Sequence, residues 1–99
     1  MLDKLGQLKD LWKLKGQMEE MKKRLDAMVI KAQSPRHAVE ITLNGSMEVK
    51  EVCVNEEVAK NLSAQELGQE IKDAFNKAIR DSQMMAAQAM GSNFGIPNA

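Results

Sequence analysis

Ninety-nine residues with 14 basic and 14 acidic side chains make one small domain with no net charge. That balance excludes a uniformly basic surface adhering to any nucleic acid, and the lack of a run of ~20 apolar residues excludes a membrane-spanning helix. Eight Met, three aromatic residues and no Tyr leave a core of aliphatic and thioether side chains, in a chain small enough that self-association commonly supplements burial.

The chain opens with a helix predicted over residues 3 to about 28. Leu11, Leu14, Met18, Met21, Leu25 and Met28 follow the alternating three- and four-residue spacing of a coiled-coil-like seam, with Leu5, Leu8 and Trp12 lying off it. Charges alternate with these leucines, so the N-terminus lacks the apolar stretch of a secretory leader and a soluble, cytoplasmic protein is expected. A helix of this length spans about 39 Å at 1.5 Å per residue, more than any core the chain could build alone. Placing Leu11 at heptad position a puts Lys9, Lys15, Lys22, Lys23, Arg24 and Lys31 at e, f and g, and Glu19, Glu20 and Asp26 at b and c. The helix thus has an apolar seam, a basic flank and an acidic flank. A basic stripe on a rod can follow phosphates and release counterions. The same pattern also suits a solvated helix exterior with weak pairs three or four residues apart.

A β region follows. Residues 29–33 read as a short strand, ended by a turn at Ser34-Pro35-Arg36. Val39, Ile41 and Leu43 alternate with Glu40 and Thr42 as a half-buried strand. Asn44-Gly45 is the preferred pair for a tight type I′ hairpin turn, in which both residues take positive φ. The partner strand runs from Ser46 to about Asn55. Its alternation slips, with Met47 and Val49 on one parity and Val52 and Val54 on the other, so either a bulge lies near Lys50-Glu51 or both faces are covered. Cys53 is the only cysteine, which precludes an intramolecular disulfide and fits a reducing compartment; among valines it reads as a small buried hydrophobe.

Ser63-Ala64-Gln65-Glu66 is a capping box that opens the last helix. Leu67, Ile71, Ala74, Phe75, Ala78, Ile79, Ser82 and Met85 form one broad apolar stripe at helical spacing, and Gly91 is a plausible stop. The domain is therefore expected over residues 1–91, with 92–99 a mobile tail. Within it, residues 84–90 are rich in Met and Ala, either packing against another helix or offering a Met-rich docking surface.

Parts for catalysis are missing: His37 is the only histidine, no Cys or carboxylate stands at metal-ligand spacing from it, and the glycines form no phosphate loop. No enzyme activity, cofactor, metal or small-molecule substrate is expected. Trp12, Phe75 and Phe94 are too far apart in sequence for a base-stacking platform. Charge is uneven, however. Residues 1–36 hold nine Lys/Arg against five Asp/Glu, and residues 37–99 hold five against nine.

In order along the chain, Gln17-Met18-Glu19-Glu20-Met21-Lys22-Lys23, Val39-Glu40-Ile41-Thr42-Leu43-Asn44-Gly45 and the Ala74-Phe75-Asn76-Lys77-Ala78 helix resemble the YbaB/EbfC family over nearly the whole length. The resemblance implies an α+β fold: a long N-terminal helix, a small antiparallel sheet of two or three strands and a long C-terminal helix, in a tweezer-like homodimer. It also implies a bacterial nucleoid-associated protein that binds double-stranded DNA with modest sequence preference. DNA contact is carried onto Lys9, Lys13, Lys15, Lys22, Lys23 and Arg24 of the first helix, with Lys77 and Arg80 second. Dimer and core positions are Met18, Met21, Leu25, Val39, Ile41, Leu43, Ile71, Phe75 and Ala78. Two departures stand out: Ser34-Pro35-Arg36 replaces a glycine-rich turn, and Glu48, Glu51, Glu56 and Glu57 make residues 48–57 acidic. DNA contact is therefore expected on the helical arms rather than the centre. The alternative is a protein-interaction module that docks a partner helix on its Met-rich surface.

Overall fold

A computed structural model describes the backbone of residues 2–93 and the side chains of residues 6–91. In chain order the elements are α1 (Leu2–Ala27), β1 (Ile30–Gln33), β2 (Val39–Leu43), β3 (Val49–Val54), α2 (Glu56–Ala59) and α3 (Ala64–Asn93). The strands form one antiparallel sheet in the order β1-β2-β3. This is the α+β arrangement of a long helix, a small sheet and a second long helix.

The register aligns Ile30 and Ala32 with Leu43 and Ile41, and these in turn with Val49 and Val52; Val54 pairs with Val39. All these side chains therefore share one sheet face. α3 covers that face over β1 and β2. Ala74, Ala78 and Ser82, spaced by four, are each 0% exposed. Their small side chains let the helix lie close to the sheet, which gives the Ala-Phe-Asn-x-Ala motif its packing role. Val39, Ile41 and Leu43 lie under the helix, while Phe75, Ile79, Leu67, Leu62 and Val58 pack around them.

The parity slip in the third strand is a bulge. Thr42 pairs with Glu51 and Leu43 with Val49, so Lys50 is the extra residue. The bulge returns Val49, Val52 and Val54 to one face and turns Cys53 to the other, where Glu51 accepts its thiol hydrogen bond at 3.3 Å. Cys53 is therefore exposed rather than buried, and the neighbouring carboxylate raises its thiol pKa.

The Asn44-Gly45 turn also differs from expectation. Asn44 does not take positive φ; Met47 does, at 64°. The chain makes a wider turn in which Asn44 N donates to Glu48 O at 3.1 Å and Met47 N to Asn44 O at 3.1 Å. His37 sits exposed in the β1–β2 turn with φ 60°. The short helix α2 is unanticipated, although its signal is local: Asn55 Oδ1 accepts from Val58 N at 3.3 Å, and Glu56 and Glu57 occupy the first turn.

The capping box forms. Ser63 Oγ accepts from Glu66 N at 3.1 Å, and Glu66 Oε1 accepts from Ser63 N at 3.0 Å. Those bonds to Ser63, with Arg36 2.9 Å away, hold the Glu66 carboxyl below its ordinary pKa. A depressed folded-state pKa contributes stability above the unfolded value of about 4.3 and loses it as pH falls through the folded value. Thermal unfolding should therefore show Glu66→Gln less stable than wild type at pH 7, with the difference shrinking as the solution is acidified.

α3 does not stop at Gly91 but continues through Asn93. Residues 94–99, most of the expected tail, lie outside the described residues. The overall extents are 70 × 26 × 18 Å and the radius of gyration is 19.4 Å, well above the ~13 Å of a compact 100-residue domain. The excess comes from helix that no core covers.

Candidate nucleic-acid interface

Every described side chain of α1 from Gln7 to Glu20 is exposed. Only the base of the helix is anchored, through Met21, which is 8% exposed, and the half-buried Leu25 and Met28. The heptad seam is thus covered in its last half alone, and Leu11, Leu14 and Met18 are respectively 61%, 47% and 63% exposed. Lys9, Lys13, Lys15, Lys22, Lys23 and Arg24 all stand in solvent on this rod. Among the described residues, Lys22 alone of the α1 lysines is ion-paired, to Asp26 at 3.0 Å. Hydrogen bonds from the Ser46 hydroxyl and Lys22 lower the Asp26 pKa, while Asp26 raises that of Lys22. An exposed pair of this kind is weak, so a phosphate can compete for the ammonium. Lys15 lies 5.3 Å over the ring of the exposed Trp12, an arrangement the sequence reading missed although the i,i+3 spacing allows it.

Lys77 and Arg80 belong to a different feature. With Gln33, Pro35, Asp73 and Asn76 they line a shallow cleft of about 410 Å³ between α3 and the β1 edge. Lys77 is paired with Asp81 at 3.2 Å. None of the six α1 residues just named lines this cleft. The structure therefore presents two separate basic features, a bare rod and a cleft. Asn76 and Gln33 were missed as cleft residues because only the β1 edge brings them together.

The remaining positions divide by burial. Val39, Ile41, Leu43 and Ala78 are buried, Phe75 is half-buried, and Ile71 is 36% exposed. Glu48, Glu51, Glu56 and Glu57 are all exposed, making the β3–α2 side acidic. Among the described residues no group of three His, Cys, Asp or Glu side chains is placed to hold a metal ion, and no helix is long and apolar enough to cross a membrane.

Residues 1–95 match the YbaB/EbfC DNA-binding family. The chain belongs to the YbaB/EbfC family. It is 31% identical over 91 residues to the nucleoid-associated protein EbfC of Borrelia hermsii (strain HS1 / DAH), covering 90% of this chain and 92% of that one. The EbfC of Borrelia turicatae (strain 91E135) is 32% identical over the same shares. In fold the chain resembles the crystal structure of an uncharacterized Helicobacter pylori protein, with a TM-score of 0.57 at 17% identity over 88% of this chain and 94% of that one. This chain thus carries exposed lysines on its projecting first helix and exposed glutamates on the β3–α2 side.

Proposed function

We propose that this protein binds double-stranded DNA at the nucleoid as a homodimer, through the basic flank of α1, with modest sequence preference. The observation that carries the reading is the exposed rod: lysines on a helix that its own chain leaves bare from Gln7 to Glu20 and anchors only at the base. Family membership and the named relatives support it. Phosphates are the natural ligand of such a stripe, because each neutralised phosphate releases counterions and no base edge need be read. Lys77 and Arg80 add a second, weaker contact through the α3 cleft. The acidic β3–α2 side points to contact on the arms.

Self-association is supported by what α3 leaves bare. Val49, Val52 and Val54 continue the core face of the sheet, yet they are 50%, 48% and 54% exposed because the helix stops at β2. All six residues of the β3 edge strand are exposed. A second copy paired along β3 would extend the sheet and set its own core face beside these valines. The bare α1 seam is a further surface for a partner helix. Val52→Glu together with Val54→Glu should convert an assembly of twice 11.0 kDa to a single chain by light scattering; an 11 kDa mass for wild type at micromolar concentration would sink the dimer.

The deciding experiment is fluorescence anisotropy with two unrelated 30-base-pair duplexes across a range of salt. Binding to both that weakens steeply with salt supports the reading. No binding at low salt overturns it and turns attention to a partner helix on the Met-rich surface, where a nuclease-resistant pulldown lost in Met84→Glu/Met85→Glu would be expected.

A further inference from the structure

α1 ends without a glycine; Met28 N closes its last turn on Leu25 O at 3.2 Å, and the last carbonyls gain further donors from 18 and 20 residues away. Gly45 N donates to Leu25 O at 2.7 Å, and Asn44 Nδ2 reaches Asp26 O at 3.5 Å. Ser46 Oγ donates to Asp26 Oδ1. The hairpin turn thus acts as the C-cap that a helix terminus requires. The same turn holds α3: Ser82 Oγ, fully buried, donates to Asn44 O at 2.8 Å.

The turn itself is braced from within. Asn44 is 0% exposed; its Oδ1 accepts from Ser46 N and Glu48 N at 2.9 and 3.0 Å, and its Nδ2 donates to Glu48 Oε1 at 3.0 Å. Gly45 is pressed against the helix. A Cβ there would lie 2.8 Å from Met28 Sδ, 2.9 Å from Leu25 O and 3.0 Å from Leu25 Cα. Two of those three atoms are backbone, so α1 would have to move away.

We propose that the Asn44-Gly45-Ser46 turn is the joint that sets the angle of α1 against α3, and that Gly45 and Ser82 are positioning residues for duplex binding. The proposal rests on the DNA-binding reading above. A lever explains why small changes matter. Lys9 lies 16 residues beyond Leu25, about 24 Å along the helix, and no side chain from Gln7 to Glu20 is buried. A tilt of about 10° at the joint moves Lys9 by about 4 Å, enough to take an ammonium out of ion-pair reach of a phosphate.

Spin labels on cysteines replacing Gln7 and Gln88, in a Cys53→Ser background diluted with unlabelled protein, report the arm-to-arm distance within one chain without DNA. Gly45→Ala and Ser82→Ala should broaden or shift that distance. Gly68→Ala, whose Cβ meets nothing within 4 Å, should leave it unchanged. In anisotropy titrations the two joint variants should lose at least one phosphate contact, lowering the salt slope by about 0.9 and the affinity roughly eightfold at 0.1 M salt. Simple destabilisation lowers the binding-competent fraction but leaves the slope of the folded protein intact. An unchanged distance overturns the joint, and a changed distance with an unchanged slope overturns the positioning role. If wild type binds no duplex, the functional reading falls and the positioning role with it, while the distance still decides the joint.

Discussion

Reversing the charge of Lys15, Lys22 and Lys23 to Glu should lower the salt slope of duplex binding by about 2.7 and weaken affinity at 0.1 M salt by at least several hundredfold. The reason is additive: all three side chains are exposed, so each would meet a phosphate without a change in the fold. Circular dichroism and melting temperature should hardly change, because Lys22–Asp26 is the only α1 lysine ion pair among the described residues and it is exposed. Reversal of Lys77 and Arg80 should cost less, since it changes two charges rather than three. Equal affinity for wild type and the triple variant, measured by anisotropy, would remove α1 from the interface.

The largest loss of stability is expected from Ile41→Ala. Ile41 is 0% exposed at the centre of β2, paired with Ala32 on one side and Val52 on the other. Ala32 and the nearby Ala74 and Ala78 are too short to fill the space left behind. Truncation there should cost about 3 kcal/mol and lower the melting temperature by roughly 10–20 °C. Val52→Ala, one strand outward on the same face but half exposed, should cost clearly less. Calorimetry on both variants separates the covered part of the sheet face from the bare part; equal losses would mean that β3 is as well packed as β2.

Where local chemistry decides, the sequence was readable. Ser63 and Glu66 bond reciprocally three residues apart, so the start of α3 could be seen in four letters. The parity slip marked the bulge at Lys50 in the same way. Cys53 was misread because it pairs with Glu40 on the sheet face turned away from α3, and the valines beside it in sequence do not say which face is covered. Asn44-Gly45 was misread for a related reason. Gly45 answers to Leu25 and Met28 across the fold rather than to the dihedrals of a two-residue turn. The α1 seam shows the same boundary: its heptad spacing is plain throughout, yet only Met21 onward finds cover within the chain. The exposed basic flank of α1 was legible from heptad position, whereas the α3 cleft required Gln33 of β1 and Pro35 of the turn after it.

The two edges of the sheet are unequal, and that bears on how far assembly can go. β3 offers six exposed residues with three valines on one face. β1 is four residues long with only Lys31 and Gln33 exposed, and is followed within two residues by Pro35. Short, charged edges with a nearby proline resist the addition of strands. A sheet that joins through β3 about a two-fold axis shows only β1 at both of its outer margins. In the proposed pair, the edges left for further growth would be the two short, charged β1 margins, which favours a closed dimer over a fibre.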